Sequence, residues 1–234
     1  MRIALLGVGS LGTALGGMIS KSGQEIVLID GYESHVKALN AKGATITGKM
    51  QLNADVKACL LNEIEGTFDI VFYLAKSTNN EVYLPAILPH LNDKSIVCTL
   101  QNGLPEELVS RFVGKERVIG GFVYWGASLV EPGVTEMTTE KDQLIYEIGE
   151  IDGGITPRLY RVKKILDLAG ECLISENLMR VRWTKLSFNS AMSGMSAALG
   201  CTYGDVLNNE KAIVCAAFIK NEVLKIAHAQ GINC

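Results

Sequence analysis

The residues best suited to bind a ligand are three glycines in the segment Gly7-Val8-Gly9-Ser10-Leu11-Gly12. They follow a short apolar run, Ile3 to Leu6, and precede a stretch that favours a helix. In this pattern the first glycine permits a tight turn, the second lets the main chain approach a pyrophosphate, and the third lets the helix pack on the strand. An alternative is a turn without a ligand, or one that binds S-adenosylmethionine or a flavin. The predicted cofactor-binding residues of this turn are Gly7, Gly9, Ser10, Leu11 and Gly12.

An acidic residue, Asp30, follows the next apolar run, Ile26 to Ile29, roughly twenty residues beyond the glycines. A carboxylate at this strand end accepts hydrogen bonds from ribose hydroxyls and repels a 2′-phosphate, and Gly31 brings no cation. The pattern therefore favours NAD over NADP. The alternative is a solvated carboxylate, with a nearby Lys or Arg accommodating the phosphate.

A second set of candidate residues, Lys185, Asn189 and Ser193, is spaced i, i+4, i+8 and so shares one face of a predicted helix. We expect this polar stripe to point toward the cleft between two domains. Desolvation lowers the pKa of a lysine at such a place, so that its ammonium group can protonate a ketone oxygen. A solvent-facing lysine is the alternative. The neighbours expected to pack on the core are Leu186, Phe188, Ala191 and Met192.

The elements that position these residues alternate between strand and helix, which predicts a parallel sheet. Further strands are expected at Ile70 to Leu74 and at Ile96 to Leu100, each followed by polar residues. Shorter antiparallel hairpins with a Pro132-Gly133 turn are expected between Val118 and Ile148. Three helices follow. The predicted fold class is α/β, with an N-terminal doubly wound sheet of Rossmann type (residues 1–153) and an incomplete, all-helical second domain (residues 154–234). The predicted helices are Pro157 to Leu168, Met179 to Leu199 and Lys211 to Gln230.

The composition favours a small-molecule ligand. The 234 residues include 22 Lys and Arg against 25 Asp and Glu, so no positive field attracts nucleic acid or an anionic membrane. Six scattered cysteines show no metal-ligand spacing, so no metal site is expected and a reducing compartment is indicated. Because neither a signal peptide nor an apolar run of membrane-spanning length is present, we expect a cytoplasmic protein. The histidines His35, His90 and His228 are interpreted as structural or surface residues.

Several separated motifs resemble the ketopantoate reductase family and the wider group of 2-keto-acid reductases, over nearly the whole chain. They are the glycine turn, Ala75-Lys76-Ser77, Leu100-Gln101-Asn102-Gly103 and the segment Arg182 to Asn189. The resemblance implies that Lys76 contacts the cofactor, that Asn102 reaches both nicotinamide and substrate, and that Ala127 lies beside the cofactor. Taken without the other motifs, Lys76 would be interpreted as a surface lysine and Asn102 as a turn-forming residue.

The resemblance further implies a reductase that converts a 2-keto acid, ketopantoate to pantoate in pantothenate biosynthesis, with NAD or NADP. Lys185 is the implied general acid, and Asn102, Asn189 and Ser193 orient the substrate. The expected partner is this small molecule, not nucleic acid or a membrane, and a homodimer is one expectation for the assembly.

Two departures from the family pattern keep other functions open. Ser193 and Tyr203 stand where the family has asparagines, which changes the number and shape of hydrogen-bond donors. Together with Asp30, they favour an NAD-linked D-2-hydroxy-acid dehydrogenase as an alternative. The family also continues beyond the segment resembling Glu222 to Ile232 with a substrate-binding serine and a glutamate. We therefore expect a truncated helical domain with uncovered apolar surface, and a non-catalytic dinucleotide-binding protein is a further alternative.

Overall fold

Strands and helices alternate along the first part of the chain, and the computed structural model describes residues 1–234 without a gap. The strands, in chain order, are β1 (Ile3–Leu6), β2 (Val27–Asp30), β3 (Ala44–Gly48), β4 (Leu52–Ala54), β5 (Lys57–Leu60), β6 (Phe68–Tyr73), β7 (Leu91–Thr99), β8 (Val118–Val123), β9 (Ala127–Glu131), β10 (Val134–Met137), β11 (Ile145–Gly149) and β12 (Glu171–Ser175). The helices are α1 (Ser10–Lys21), α2 (Glu33–Lys42), α3 (Asn80–Ile87), α4 (Glu106–Val113), α5 (Pro157–Leu166), α6 (Leu178–Leu199), α7 (Tyr203–Leu207) and α8 (Glu210–Ala229).

The main sheet has the strand order β12-β11-β8-β7-β6-β1-β2-β5. The six strands from β8 to β5 are parallel, and β11 joins antiparallel to β8. Strand β1 is buried along its whole length, because separate hydrophobic clusters cover the two faces of the sheet. The predicted Rossmann-type doubly wound sheet is thus confirmed. Its parallel strands bring the glycine turn, Asp30 and Ala75 to the same sheet edge.

A second sheet of four strands, in the order β4-β3-β10-β9, packs against α1. The hairpin of β9 and β10 turns at Pro132-Gly133, as the sequence predicts, with Gly133 at a positive φ of 81°. This hairpin does not extend the main sheet, because β10 pairs in parallel with β3. The helix that follows the glycine turn therefore lies between two sheets.

The first compact unit continues beyond the boundary expected at residue 153 and comprises Met1–Gln101 and Pro105–Glu176. The reason is β12, a strand that the sequence analysis did not anticipate, which pairs in parallel with β11. The preceding helix α5 buries one apolar face in the larger hydrophobic cluster. Residues of α5 that are 2% exposed or less are Leu159, Val162, Ile165 and Leu166.

The second compact unit is helical and comprises Asn102–Leu104 and Asn177–Cys234. Asn177 caps α6 by accepting a hydrogen bond from the Arg180 backbone N–H, and Gly200 ends this helix in the left-handed conformation. None of the helices in the structure combines the length and apolar composition needed to span a membrane. The small core of this unit is formed by Ala191, Met192, Val206, Ala212 and Ala216.

We predict that Leu159→Ala lowers the free energy of unfolding by about 2–5 kcal/mol, because the change leaves a cavity in the core beneath α5. The matched control is Tyr160→Ala on the same helix, where the side chain is 55% exposed and the expected change is within about 0.5 kcal/mol. Urea unfolding of both variants measures the difference. Equal effects would contradict the packing of α5 in the first unit.

Candidate functional site

The glycine turn is held by close approaches of backbone to backbone. Gly7 has a φ of +93°, and a Cβ atom built on it would lie 2.2 Å from the backbone nitrogen of Ala75. A Cβ on Gly12 would lie 2.6 Å from the carbonyl oxygen of Gly7. A side chain at Gly7 would push the turn away from the end of β6. A side chain at Gly12 would push α1 away from the turn.

The start of α1 is suited to bind an anion. Gly9 is the N-cap residue, no side chain caps the helix, and the first turn contains no acidic residue. A Cβ built on Gly9 meets no atom within 4 Å, so the space beside it is open. Free N–H groups and the positive end of the helix dipole favour a phosphate at such a place. The turn therefore fits the pyrophosphate of a dinucleotide.

Asp30 lies at the end of β2, partly buried, with its carboxylate directed at the glycine turn. Its Oδ2 accepts a hydrogen bond of 2.6 Å from the Val8 N–H, and its Oδ1 accepts one of 2.9 Å from the Tyr32 N–H. The Tyr83 hydroxyl lies 3.3 Å from Oδ1. These contacts use three of the roughly four acceptor positions of a carboxylate. The negative charge thus stands beside the turn, with one acceptor position of Oδ2 left for a ligand.

The segment after β6 is held by a side-chain network that the sequence analysis did not identify. The Gln101 amide donates to the carbonyl oxygen of Ala75 at 2.6 Å and to Oδ1 of Asn80 at 2.9 Å. The Tyr73 hydroxyl donates to the same Asn80 oxygen at 2.6 Å. Gln101 and Asn80 are buried, whereas Lys76, which follows Ala75, is exposed. The network fixes the backbone that carries this lysine.

The remaining predicted residues for the cofactor are Asn102 and Ala127. Asn102 is exposed and is grouped with the helical unit, whereas Ala127 is partly buried at the start of β9 in the first unit. Behind the glycine turn, the Thr135 hydroxyl lies 3.2 Å from the Ser10 carbonyl oxygen. Thr135 comes from β10, 125 residues away in sequence, so no local pattern could have identified it.

The polar stripe of α6 contains one lysine in an unusual environment. Lys185 is half-buried, and burial together with the positive charge of Arg182 lowers its pKa from 10.5 to about 8. Asn189 is half-buried one turn later. Ser193 is exposed, and its hydroxyl forms a short hydrogen bond with the hydroxyl of Tyr203.

The apolar neighbours of this stripe are not all buried, although the sequence predicts that they pack on the core. Ala191 and Met192 are buried as expected, but Phe188 is 45% exposed, and its ring packs edge-on against Tyr203. The buried positions of the first half of α6 include instead Arg182 and Ser187. Ser187 tolerates burial because its hydroxyl donates to the Thr184 carbonyl oxygen at 2.8 Å. The buried face of α6 is thus more polar than expected.

Sequence profiles of one protein family match parts of both compact units. The sequence profile described as "Ketopantoate reductase PanE/ApbA" matches residues 3–153, and the profile described as "Ketopantoate reductase PanE/ApbA C terminal" matches residues 177–234. Among curated proteins, the 2-dehydropantoate 2-reductase of Pyrococcus horikoshii is 32% identical over 236 residues, which are 100% of this chain and 75% of the relative. The Pyrococcus abyssi protein of the same name is 30% identical, with 100% and 76% covered.

Among the solved structures, two examples have folds similar to that of this chain over its whole length. D-mandelate dehydrogenase with NADH and anilino(oxo)acetate superposes with a TM-score of 0.92 at 25% identity, covering 100% of this chain and 76% of that one. The 2-dehydropantoate 2-reductase from Geobacter metallireducens gives a TM-score of 0.89 at 28% identity, covering 100% and 77%. Both similarities extend over the full length of this chain.

We predict that the amine of Lys185 titrates with a pKa of about 8, because burial and Arg182 disfavour its charged form. The NMR signals of ¹³C-methylated lysines, followed against pH, measure this value, and the signal lost in Lys185→Arg assigns the residue. Arg182→Gln should raise the pKa of Lys185, since it removes a neighbouring positive charge. Titration of Lys185 at the ordinary 10.5 would contradict the described environment.

Proposed function

Because the chain belongs to the ketopantoate reductase family of NAD(P)-dependent oxidoreductases, we propose that it reduces the carbonyl group of a 2-keto acid to a hydroxyl group. Ketopantoate is the first candidate substrate and pantoate the corresponding product. The observation that carries the proposal is the half-buried position of Lys185 on α6, one and two helical turns before Asn189 and Ser193, where burial and Arg182 lower the pKa of its amine to about 8. A lysine of this kind can act as a general acid near neutral pH.

The first unit would hold the cofactor through the backbone of the glycine turn and through Asp30. When bound, a nicotinamide cofactor supplies a hydride to the carbonyl carbon of the substrate. The fixed carboxylate of Asp30 favours NAD, because it can accept a hydrogen bond from a ribose hydroxyl and repels a 2′-phosphate. The residues proposed to contact the cofactor are Gly7, Gly9, Ser10, Leu11, Gly12, Asp30, Lys76, Asn102 and Ala127.

Lys185 would supply the proton that the reaction needs. Its ammonium group donates a hydrogen bond to the keto oxygen and transfers a proton to that oxygen as the carbonyl carbon is reduced. The amine then regains a proton from water, which a pKa of about 8 permits near neutral pH. The side chains of Asn102, Asn189 and Ser193 offer donors that can orient the substrate.

A second candidate function is that of an NAD-linked D-2-hydroxy-acid dehydrogenase acting on a different acid. The first observation that favours it is the carboxylate of Asp30 beside the glycine turn. The second is the pair of hydroxyl groups of Ser193 and Tyr203, with the exposed ring of Phe188 packed against the ring of Tyr203. Hydroxyl groups offer fewer donors than the amides at the corresponding family positions. A substrate panel that includes ketopantoate, branched and aromatic 2-keto acids separates the two candidates.

We predict that Lys185→Ala lowers kcat for 2-keto-acid reduction by about 10²- to 10⁴-fold, because the proton donor is lost. The Kd for NADH should stay unchanged. The assay follows NADH and NADPH oxidation across the substrate panel, and Lys220→Ala, an exposed lysine on α8, is the control. Undiminished turnover by Lys185→Ala would refute the assigned role. NADH binding by the parent protein without turnover of any acid would favour the non-catalytic alternative.

We predict that Asp30→Asn shifts the ratio of NADPH to NADH affinity toward NADPH by about tenfold, which corresponds to 1.4 kcal/mol. The substitution removes the negative charge and keeps an oxygen that can accept from the Val8 N–H. Calorimetric titration with both cofactors measures the ratio, and the exposed Asp55→Asn is the control. An unaltered ratio would mean that Asp30 does not determine cofactor preference.

A further inference from the structure

A chain of hydrogen bonds connects buried His35 to the glycine turn through Thr13. His35 lies in the first turn of α2 and is 1% exposed, and Thr13 in α1 is fully buried. The Nδ1 atom of His35 lies 3.0 Å from the Gly133 backbone nitrogen, and its Nε2 atom lies 3.0 Å from the Thr13 hydroxyl. That hydroxyl lies 2.8 Å from the Gly9 carbonyl oxygen. The ring thus joins the β9–β10 turn to the glycine turn.

The directions of these bonds follow from one fixed donor. The Gly133 N–H can only donate, so Nδ1 of His35 accepts and carries no proton. In the neutral ring Nε2 then carries the proton and donates to Thr13, whose hydroxyl hydrogen is directed to the Gly9 carbonyl. Burial lowers the pKa of His35, against the opposing effects of the Asp30 carboxylate and of a hydrogen bond to the Val8 backbone, and so favours this neutral form.

The last bond of the chain acts on the peptide group that begins α1. The Gly9 carbonyl accepts from both the backbone N–H and the hydroxyl of Thr13, each at 2.8 Å. Because a trans peptide is planar, the direction of this carbonyl also fixes the direction of the Ser10 N–H. This N–H is one of the free donors at the helix N-terminus beside the open space at Gly9.

We propose that His35 is a positioning residue for dinucleotide binding, which holds the Gly9–Ser10 peptide through Thr13 in the orientation that a pyrophosphate requires. The proposal rests on the cofactor site proposed above at the glycine turn. It assigns a binding role to a histidine whose sequence context indicates only a structural or surface residue.

Two substitutions of His35 separate its two hydrogen bonds. In His35→Gln the amide nitrogen can replace Nε2 and still donate to Thr13, whereas in His35→Asn the amide oxygen can replace Nδ1 but reaches only Gly133. We expect His35→Asn to raise the Kd for NADH, measured by calorimetry without substrate, by about three- to tenfold, the effect of one hydrogen bond. His35→Gln should stay within about twofold of the parent. Equal Kd values for the two variants would overturn the proposal.

Thr13 provides a test that does not depend on the folding of the His35 variants. Thr13→Val removes the hydroxyl with little change of shape and should raise the Kd for NADH as His35→Asn does, whereas Thr13→Ser should retain affinity. The double variant His35→Asn/Thr13→Val should bind no more weakly than either single variant, because both break the same chain. Additive losses would overturn the proposal. In the ligand-free protein, the amide NMR signal of Ser10 should move in His35→Asn and Thr13→Val but not in His35→Gln.

Gly9→Ala distinguishes a failure of this inference from a failure of the cofactor site. Its backbone angles suit alanine, and the added Cβ meets no protein atom, but it fills the space proposed for the pyrophosphate. We expect reduced NADH affinity with unchanged urea stability. If Gly9→Ala weakens binding while the His35 and Thr13 variants bind like the parent, only the role of His35 is refuted. If Gly9→Ala binds like the parent, the cofactor site and the inference both fail.

Discussion

The close approach of backbone segments at Gly7 is the constraint on which the nucleotide-binding unit depends. The Gly7 N–H donates to the Ile29 carbonyl at the end of β2, and the Leu74 N–H donates to the Leu6 carbonyl beside it, both at 2.9 Å. Gly7 therefore lies where the ends of three strands meet, with Ala75 too near to admit a side chain. Because glycine allows this approach, the turn, Asp30 and the segment carrying Lys76 come together at one sheet edge.

Hydrogen bonds from two directions then hold the polar groups of the turn. Asp30 binds the Val8 N–H on one side, and Thr13 binds the Gly9 carbonyl on the other. Each contact orders a group before any ligand arrives, so binding need not supply that ordering. Asp30 illustrates the consequence most directly, since backbone N–H groups fix its carboxylate and leave one acceptor position of Oδ2 for a ligand.

The sequence predicted those features that depend on neighbours along the chain. The glycine turn, Asp30 after β2, the hairpin at Pro132-Gly133 and the long helix α6 all have local signals in residue type and spacing. The contact of His35 with Gly133 spans 98 residues, and that of Thr13 with His35 spans 22, so no periodicity encodes them. These contacts arise only when two sheets enclose α1.

The strand β12, which the sequence did not predict, and the exposed position of Phe188 have a similar explanation. Strand β12 has only five residues with an irregular burial pattern, and its partner β11 lies in a region where several short strands follow one another. On α6, Phe188 is 45% exposed although its ring packs edge-on against Tyr203, a residue that begins another helix. Apolar character predicted burial of Phe188, whereas nothing in the sequence pattern predicted β12; tertiary partners decided both outcomes.

Lys185 shows how burial and a charged neighbour on the same helix change the pKa of a lysine. Arg182 and Lys185 are three residues apart and therefore neighbours on α6, an arrangement that disfavours charge on both. An arginine cannot give up its proton under physiological conditions, so the lysine carries the effect of repulsion as a lowered pKa. Burial acts in the same direction and is the larger cause. At a pKa of about 8 most of the amine is still protonated at neutral pH, and its proton is lost more readily than that of an exposed lysine.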